Sequence, residues 1–197
     1  MLNGLVFPSR GTFTAFGEPI TEDTPAGRAG EHLFRSRVGF VFQDTDAQTF
    51  SPTVREELAF GPLQPLPEIP DLADRAPFQL SGGQKKRVAI GNVLVMNPDV
   101  LLFDEPTAGL DPRTGEWLTA LIEELAAAGK TIVLATHDLD SLDRLADRCL
   151  VFSEEHRIVA DGLPGDVLGQ RRLLSEVNLT PASTRSAAVT APVAGHP

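Results

Sequence analysis

The 197-residue chain has a single cysteine, Cys149, and no stretch near the roughly 18 consecutive apolar residues that a membrane-spanning helix needs. One thiol excludes an internal disulfide framework and fits a reducing compartment. Its place in the apolar run Cys149-Leu150-Val151-Phe152 marks it as a buried structural thiol. Met1-Leu2-Asn3-Gly4 lacks the basic-then-apolar order of a signal peptide, so the chain reads as cytosolic unless a partner carries it to a membrane. Basic residues are also short: 17 Lys and Arg stand against 27 Asp and Glu, for a net charge of -10. Without a basic stripe to neutralise phosphates, nucleic-acid binding is set aside.

What remains is a chain with the length and apolar content of one domain plus a tail. The first forty residues, rich in Gly, Pro and Thr, read as short strands joined by turns. Val38-Gly39-Phe40-Val41-Phe42 reads as a strand ending at Gln43-Asp44. Prolines 62, 65, 67, 70 and 77 exclude a long helix between Pro62 and Leu80. Ser81 opens a helix running to about Met96, which Asn97-Pro98-Asp99 breaks. Val100-Leu101-Leu102-Phe103 is short and wholly apolar, the pattern of a central strand covered on both faces. A second helix has Asp111 as N-cap and Pro112 at its first position, with Trp117, Leu118, Leu121, Ile122 and Leu125 on one face and Gly129 as its stop. Thr131–Ala135 reads as the next buried strand. This alternation predicts an α/β layer with parallel pairing. Arg148–Phe152 and Arg157–Ala160 read as a closing pair of strands, and residues 181–197 as a disordered tail.

Several residues carry candidate chemistry. Asp104-Glu105 ends the apolar strand, where α/β sheets bind ligands. One carboxylate there can hold Mg²⁺ and the other can polarise water, although two acids at a solvated strand end would read the same way. Ser81-Gly82-Gly83-Gln84 combines backbone access with a helix N-terminus suited to an anion, and equally describes an ordinary capped helix start. His137 follows a strand end, as does Gln43; each alone is as well explained by an ordinary polar residue.

Order narrows these readings. Gln43, then Leu80-Ser81-Gly82-Gly83-Gln84-Lys85-Lys86-Arg87, then Leu101-Leu102-Phe103-Asp104-Glu105-Pro106-Thr107, then Ala108-Gly109-Leu110-Asp111 and Thr136-His137-Asp138 occur in that sequence. Over residues 1–180 this resembles the ATP-binding subunits of ABC transporters. The resemblance implies a P-loop NTPase-like α/β domain with a mostly parallel central sheet and, here, a shortened helical subdomain. It implies ATP and Mg²⁺ as cofactors. Gln43 would be the Q-loop residue touching Mg²⁺ or water, and Asp104 the Mg²⁺-supporting acid. Glu105 would be the general base and His137 the switch histidine. Leu80 to Gln84 would be the signature, with Ser81, Gly82, Gly83 and Gln84 pressing on a γ-phosphate held by the opposite subunit. Ala108 to Asp111 would be the D-loop. The implied partners are a second ATPase subunit, identical or different, and integral membrane transporter subunits that hold the chain at the inner face of the cell membrane. Phe42 to Val54, including Gln48, together with Leu58-Ala59-Phe60-Gly61-Pro62, resembles the cobalt/nickel and energy-coupling-factor branch, which imports metal ions or vitamins.

The pattern also departs from that family. The 197 residues contain no Gly-x-x-x-x-Gly-Lys-Ser/Thr, and the glycine-rich piece from Gly11 to Gly17 has no lysine. Leu2-Asn3-Gly4-Leu5 looks like the helix that follows such a loop, which predicts an N-terminally truncated subunit. The stretch from Pro62 to Leu80 is shorter than the family's helical subdomain. The expectation is a chain that folds marginally and does not hydrolyse ATP alone. Two alternatives are a non-catalytic partner that donates Ser81 to Gln84 to a second subunit's ATP, and an inert gene remnant. A DNA-maintenance ATPase lobe would need a long heptad-patterned helix where this chain has prolines.

Overall fold

The computed structural model describes residues 2, 8–21, 34–59 and 72–179. They divide into two units, Met1–Thr136 and His137–Pro197. In the first unit, β1 (Thr14–Ala15) and β2 (Glu18–Pro19) pair antiparallel across a tight turn. The turn needs positive φ at Phe16 (54°) and Gly17 (84°), which glycine adopts without steric cost. Residues 34–37 are helical and lead into β3 (Val38–Val41).

β3 is followed by a 3₁₀ turn (Thr45–Gln48), the short helix α1 (Val54–Leu58), a second 3₁₀ turn (Pro77–Gln79) and α2 (Gly82–Leu94). The chain then enters β4 (Val100–Asp104), crosses through α3 (Pro112–Ala127) and returns as β5 (Thr131–Ala135). The strands lie in the order β3-β4-β5 and both pairings are parallel, as the α/β reading predicts. Val41 stands opposite Phe103, Phe103 opposite Leu134, and Asp104 opposite Ala135. β4 is the middle strand, and its Leu101, Leu102 and Phe103 are all buried.

Strand alternation sends the two sheet faces to different neighbours. A Cβ on Gly39 would meet Val93 Cγ1 at 2.4 Å and Pro98 Cγ at 2.9 Å, so the face bearing Gly39 lies directly under α2. The face bearing Val38, Val100, Leu102 and Val133 lines an apolar cavity of about 180 Å³ with Phe13 and Phe34. Phe34 takes edge contacts from Phe13 and Phe16, whose ring centroids lie 6.4 and 6.3 Å away.

Thr131–Ala135 is a strand, but not the buried one its apolar run suggests. Among the described residues it pairs with β4 alone, and Val133 is 37 % exposed. An apolar run specifies extended backbone without specifying a strand's place in the sheet order. Part of the proline-rich segment, residues 60–71, lies outside the described residues, as does the proposed tail. Leu72 and Leu80 beside it close a small core with Val54 and Val88.

Next to that core, Glu57 is fully buried. Its carboxylate accepts hydrogen bonds from the Phe50 and Ser51 backbone N–H groups (3.1 and 2.7 Å) and from Asn92 Nδ2 (2.9 Å). These three donors replace the water that a buried carboxylate loses, and they fasten the 50–51 loop to α2.

The second unit contains α4 (Leu142–Leu145), an antiparallel pair β6 (Cys149–Phe152) and β7 (Ile158–Gly162), then α5 (Pro164–Leu168) and α6 (Arg171–Glu176). Cys149, Val151, Val167 and Leu174 form its core, and burial pushes the Cys149 thiol pKa up, as befits an inert structural cysteine. Arg148 grips Asp161 across the strands through two hydrogen bonds of 2.7 and 2.6 Å. No helix among the described residues is long and apolar enough to cross a membrane.

Gly39 gives a direct check of the α2–β3 approach. Gly39→Ala is expected to cost about 1–3 kcal/mol in urea denaturation, because Val93 and Pro98 must move aside. Unchanged stability would show that α2 does not pack on β3 this closely.

Candidate functional site

The carboxyl ends of β3, β4 and β5 form one edge, and three candidate residues stand on it. Asp104 is the last residue of β4, half-buried. Glu105 follows it with a φ of 43°, in the left-handed region that costs a non-glycine residue ~1–2 kcal/mol. Its backbone N–H donates to Ala135 O (2.8 Å), which extends the β4–β5 ladder past the strand end. Thr136 Oγ1 donates to Glu105 Oε2 at 3.3 Å. A strained backbone held by the ladder on one side and a hydroxyl on the other is characteristic of positions kept for function. Gln43, exposed, lies two residues past Val41, as Glu105 lies two past the paired Phe103.

Phe42, the residue ahead of Gln43, is held at both its N–H and its C=O. The Phe42 N–H donates to Gln48 Oε1 (2.9 Å), and Gln48 Nε2 donates to Phe40 O (3.0 Å). The Gln48 amide thus supplies the acceptor and donor that a neighbouring strand would offer. From the other side, Lys86 Nζ donates to Phe42 O at 3.1 Å. Lys86 is only 3 % exposed. Burial lowers the pKa of its ammonium, and the Asp104 carboxylate acts in the opposite direction.

A second group forms around the start of α2. Ser81 caps this helix in a reciprocal box: Gln84 N–H donates to Ser81 Oγ (3.3 Å), and Ser81 N–H donates to Gln84 Oε1 (2.9 Å). The Gln84 side chain is therefore engaged in the cap. The two glycines differ. Around Gly82 the space for a Cβ is open, whereas a Cβ on Gly83 would lie 2.7 Å from Thr114 Oγ1 in the first turn of α3. Thr114 is tied in turn to Asp111, whose carboxylate accepts from Thr114 N–H (3.1 Å) and Thr114 Oγ1 (2.7 Å). Gly83 thus brings the Ser81–Gln84 segment against the Asp111 cap. These hydrogen bonds, the side-chain one foremost, hold the Asp111 carboxyl below the usual aspartate range. His137, exposed, opens the second unit directly after Thr136, and Asp138 beside it caps the next turn by accepting from Asp140 N–H (3.2 Å).

Lys86 and Thr136 are the site residues that motif reading passes over. Lys86 had a usable signal: Ala89 and Ile90, three and four positions on, are fully buried, so a charged residue sits on the apolar stripe of α2. Thr136 gave none beyond its place in Thr136-His137-Asp138.

The sequence profile of the ABC transporter family matches residues 1–108. A putative ABC transporter ATP-binding protein of Methanosarcina acetivorans is 48% identical over 91% of this chain and 72% of its own length. The chain belongs to the ABC transporter ATP-binding family. Two further likenesses agree. The nickel import ATP-binding protein NikO of Rhodobacter capsulatus is 43% identical over 92% of this chain and 78% of its own length. The structure of CbiO1 from Clostridium perfringens, part of the transporter complex CbiONQ, superposes with a TM-score of 0.70 at 37% identity, covering 90% of this chain and 76% of that one. The fold is that of the P-loop ABC ATPases, with mixed α/β layers and a parallel sheet.

For an ABC ATP-binding subunit, the oxygen donors at the sheet edge suit Mg²⁺. Asp104 offers a half-buried carboxylate, and Gln43 offers an amide oxygen beyond the neighbouring strand. Among the described residues there is no cluster of three or more His, Cys, Asp or Glu able to cage a metal.

Two predictions follow from the α2–α3 contact. Gly82→Ala should leave the melting temperature nearly unchanged, while Gly83→Ala should lower it, because only Gly83 lies against Thr114; equal effects would refute the assignment. Asp111 supplies a pH test. A carboxyl with a depressed folded pKa adds stability above the unfolded aspartate range of about 4 and loses it as pH falls through the lower folded value. Asp111→Asn retains a good cap but does not titrate. Wild type should therefore exceed the variant in thermal stability near neutral pH, and the gap should close in acid.

Proposed function

We propose that this chain is an ATP-binding and ATP-hydrolysing subunit of an ABC importer of the cobalt, nickel or vitamin branch, impaired when it acts alone. The carrying observation is Asp104-Glu105 at the end of the buried central strand, with Glu105 held in the left-handed region between the Ala135 carbonyl and Thr136. NikO and CbiO1, both similar along most of this chain, support the importer branch.

In this reading Asp104 and Gln43 hold Mg²⁺, which when bound neutralises charge on the nucleotide phosphates. Glu105 takes a proton from the attacking water, and the Thr136 hydroxyl orients its carboxylate. The Ser81 hydroxyl and the Gly82 backbone N–H, with open space around Gly82, serve as donors to a phosphate bound by a second subunit. His137, the residue after Thr136 in the chain, serves as the γ-phosphate contact, and Asp111 sets the α3 turn that faces the partner subunit. Membrane transporter subunits dock the pair at the inner face of the cell membrane.

These 197 residues contain no Gly-x-x-x-x-Gly-Lys-Ser/Thr, so the charge-assisted bonds of that loop are not among their contacts. Three such bonds at about 1.5 kcal/mol each correspond to a loss of more than roughly a thousandfold in affinity. Calorimetry on the purified chain should therefore show no micromolar binding of Mg²⁺-ATP, and phosphate release should stay at background. Mixed with an ABC ATP-binding subunit that carries the loop, the chain should support phosphate release, and Gly82→Asp should abolish this. Steady release by the chain alone, lost in Glu105→Gln, would overturn the predicted impairment. A mixture that stays at background would overturn the subunit role.

A further inference from the structure

The backbone does not call for glycine at position 83. Its φ is not positive, so any residue could adopt it, and glycine in a helix costs stability relative to alanine. Closeness to α3 is what excludes a side chain. A Cβ on Gly83 would lie 2.7 Å from Thr114 Oγ1, 3.2 Å from its Cγ2 and 3.5 Å from its Cβ, so the whole Thr114 side chain faces this position. Thr114 is buried and cannot easily turn aside. Its hydroxyl donates to Asp111 Oδ2 (2.7 Å) and its backbone N–H to Oδ1 (3.1 Å), and a turned side chain would bury an unpaired hydroxyl. The reciprocal Ser81–Gln84 box fixes the first turn of α2 within itself, and Leu80 seats the chain ahead of it in a small core with Val54, Leu72 and Val88. How closely the turn stands against α3 is set by Thr114.

We propose that Thr114 is a positioning residue for the Ser81 and Gly82 donors, fixing the first turn of α2 against the Asp111 cap so that they meet a phosphate bound by a second subunit. The proposal rests on the reading of Ser81 and Gly82 as donors to that phosphate. Thr114 touches no nucleotide itself; it acts through Gly83, next to the donors in the chain. Its effect therefore falls on the partner's site: a change at Thr114 in this chain alters turnover of ATP held by the other subunit. A shift of about an ångström in groups that must meet a reacting centre can cost roughly a hundredfold in rate.

The test mixes the full 197-residue chain with a loop-carrying ABC ATP-binding subunit whose own Ser-Gly-Gly motif is disabled by a glycine-to-aspartate change. Phosphate release then depends on Ser81 and Gly82 of this chain, and variants are compared at a temperature where each is folded. Thr114→Val puts a methyl where Oγ1 faces Gly83. It should lower kcat at least about tenfold and leave KM for ATP within about twofold, because the partner's loop carries the binding. Thr114→Ser, which keeps the hydroxyl, should retain most of the rate. Gly83→Ala, which adds a methyl, and Thr114→Ala, which leaves a gap, should each slow release. Combined, the methyl fills the gap, so the double variant should exceed both single ones; this pair carries the test if the valine variant fails to fold. Thr119→Val, a buried change further along α3, should leave the rate unchanged. A Thr114→Val as active as wild type, a double variant no faster than its parents, or equal slowing by Thr119→Val would each overturn the proposal. A wild-type mixture at background defeats the subunit role and this inference with it, whereas an active wild type beside an equally active Thr114→Val defeats this inference alone.

Discussion

The pairing of β4 with a parallel neighbour on each side is the constraint from which the rest of the first unit follows. Leu101, Leu102 and Phe103 are buried on alternate faces, so a slide by one residue would undo their close packing on both. With the register fixed at Phe103, the residues at and just past the strand ends are brought to one edge: Gln43, Asp104, Glu105 and Thr136. The polar chemistry is concentrated at this edge because the strands themselves are almost wholly apolar. The extra ladder bond from Glu105 to Ala135 carries that register into the site.

Charge is the second organising theme. The chain as a whole is strongly acidic, yet α2 buries a cation, Lys86, and the acid that is fully buried among the described residues, Glu57, lies apart on α1. The two groups are satisfied differently. Glu57 is answered by neutral donors, two from backbone and one from Asn92, and serves to fasten a loop. Lys86 is answered by one backbone carbonyl, Phe42 O, and ties α2 to the end of β3.

The elements that sequence reading recovers are those with chemical boundaries. Val100–Asp104 is delimited by Asn97-Pro98-Asp99, α3 by Asp111-Pro112 at one end and Gly129 at the other, and α2 by the Ser81–Gln84 box. The exposure of β5 was not legible, because Thr131–Ala135 has the composition of a core strand and its position depends on what lies beside it. Motif order singles out Asp104, Glu105 and Gln43 as candidates, and the structure places all three at the carboxyl edge of the sheet. The difference between Gly82 and Gly83 was not, since it depends on Thr114, distant in the chain and adjacent in space. Gln84 is a case of double reading: the spacing that marks a family motif is also that of a capping box, and the side chain is seen in the cap.

The contact between Gly83 and Thr114 has a practical corollary for chimeras. The first turn of α2 and the first turn of α3 behave as one interlocking part, with the Asp111 cap as its outer clasp. A segment transplanted from a relative in place of Ser81–Gln84 will seat correctly only if the donor's α3 turn travels with it. Exchanging either piece alone would set a foreign side chain against a gap of hydrogen size.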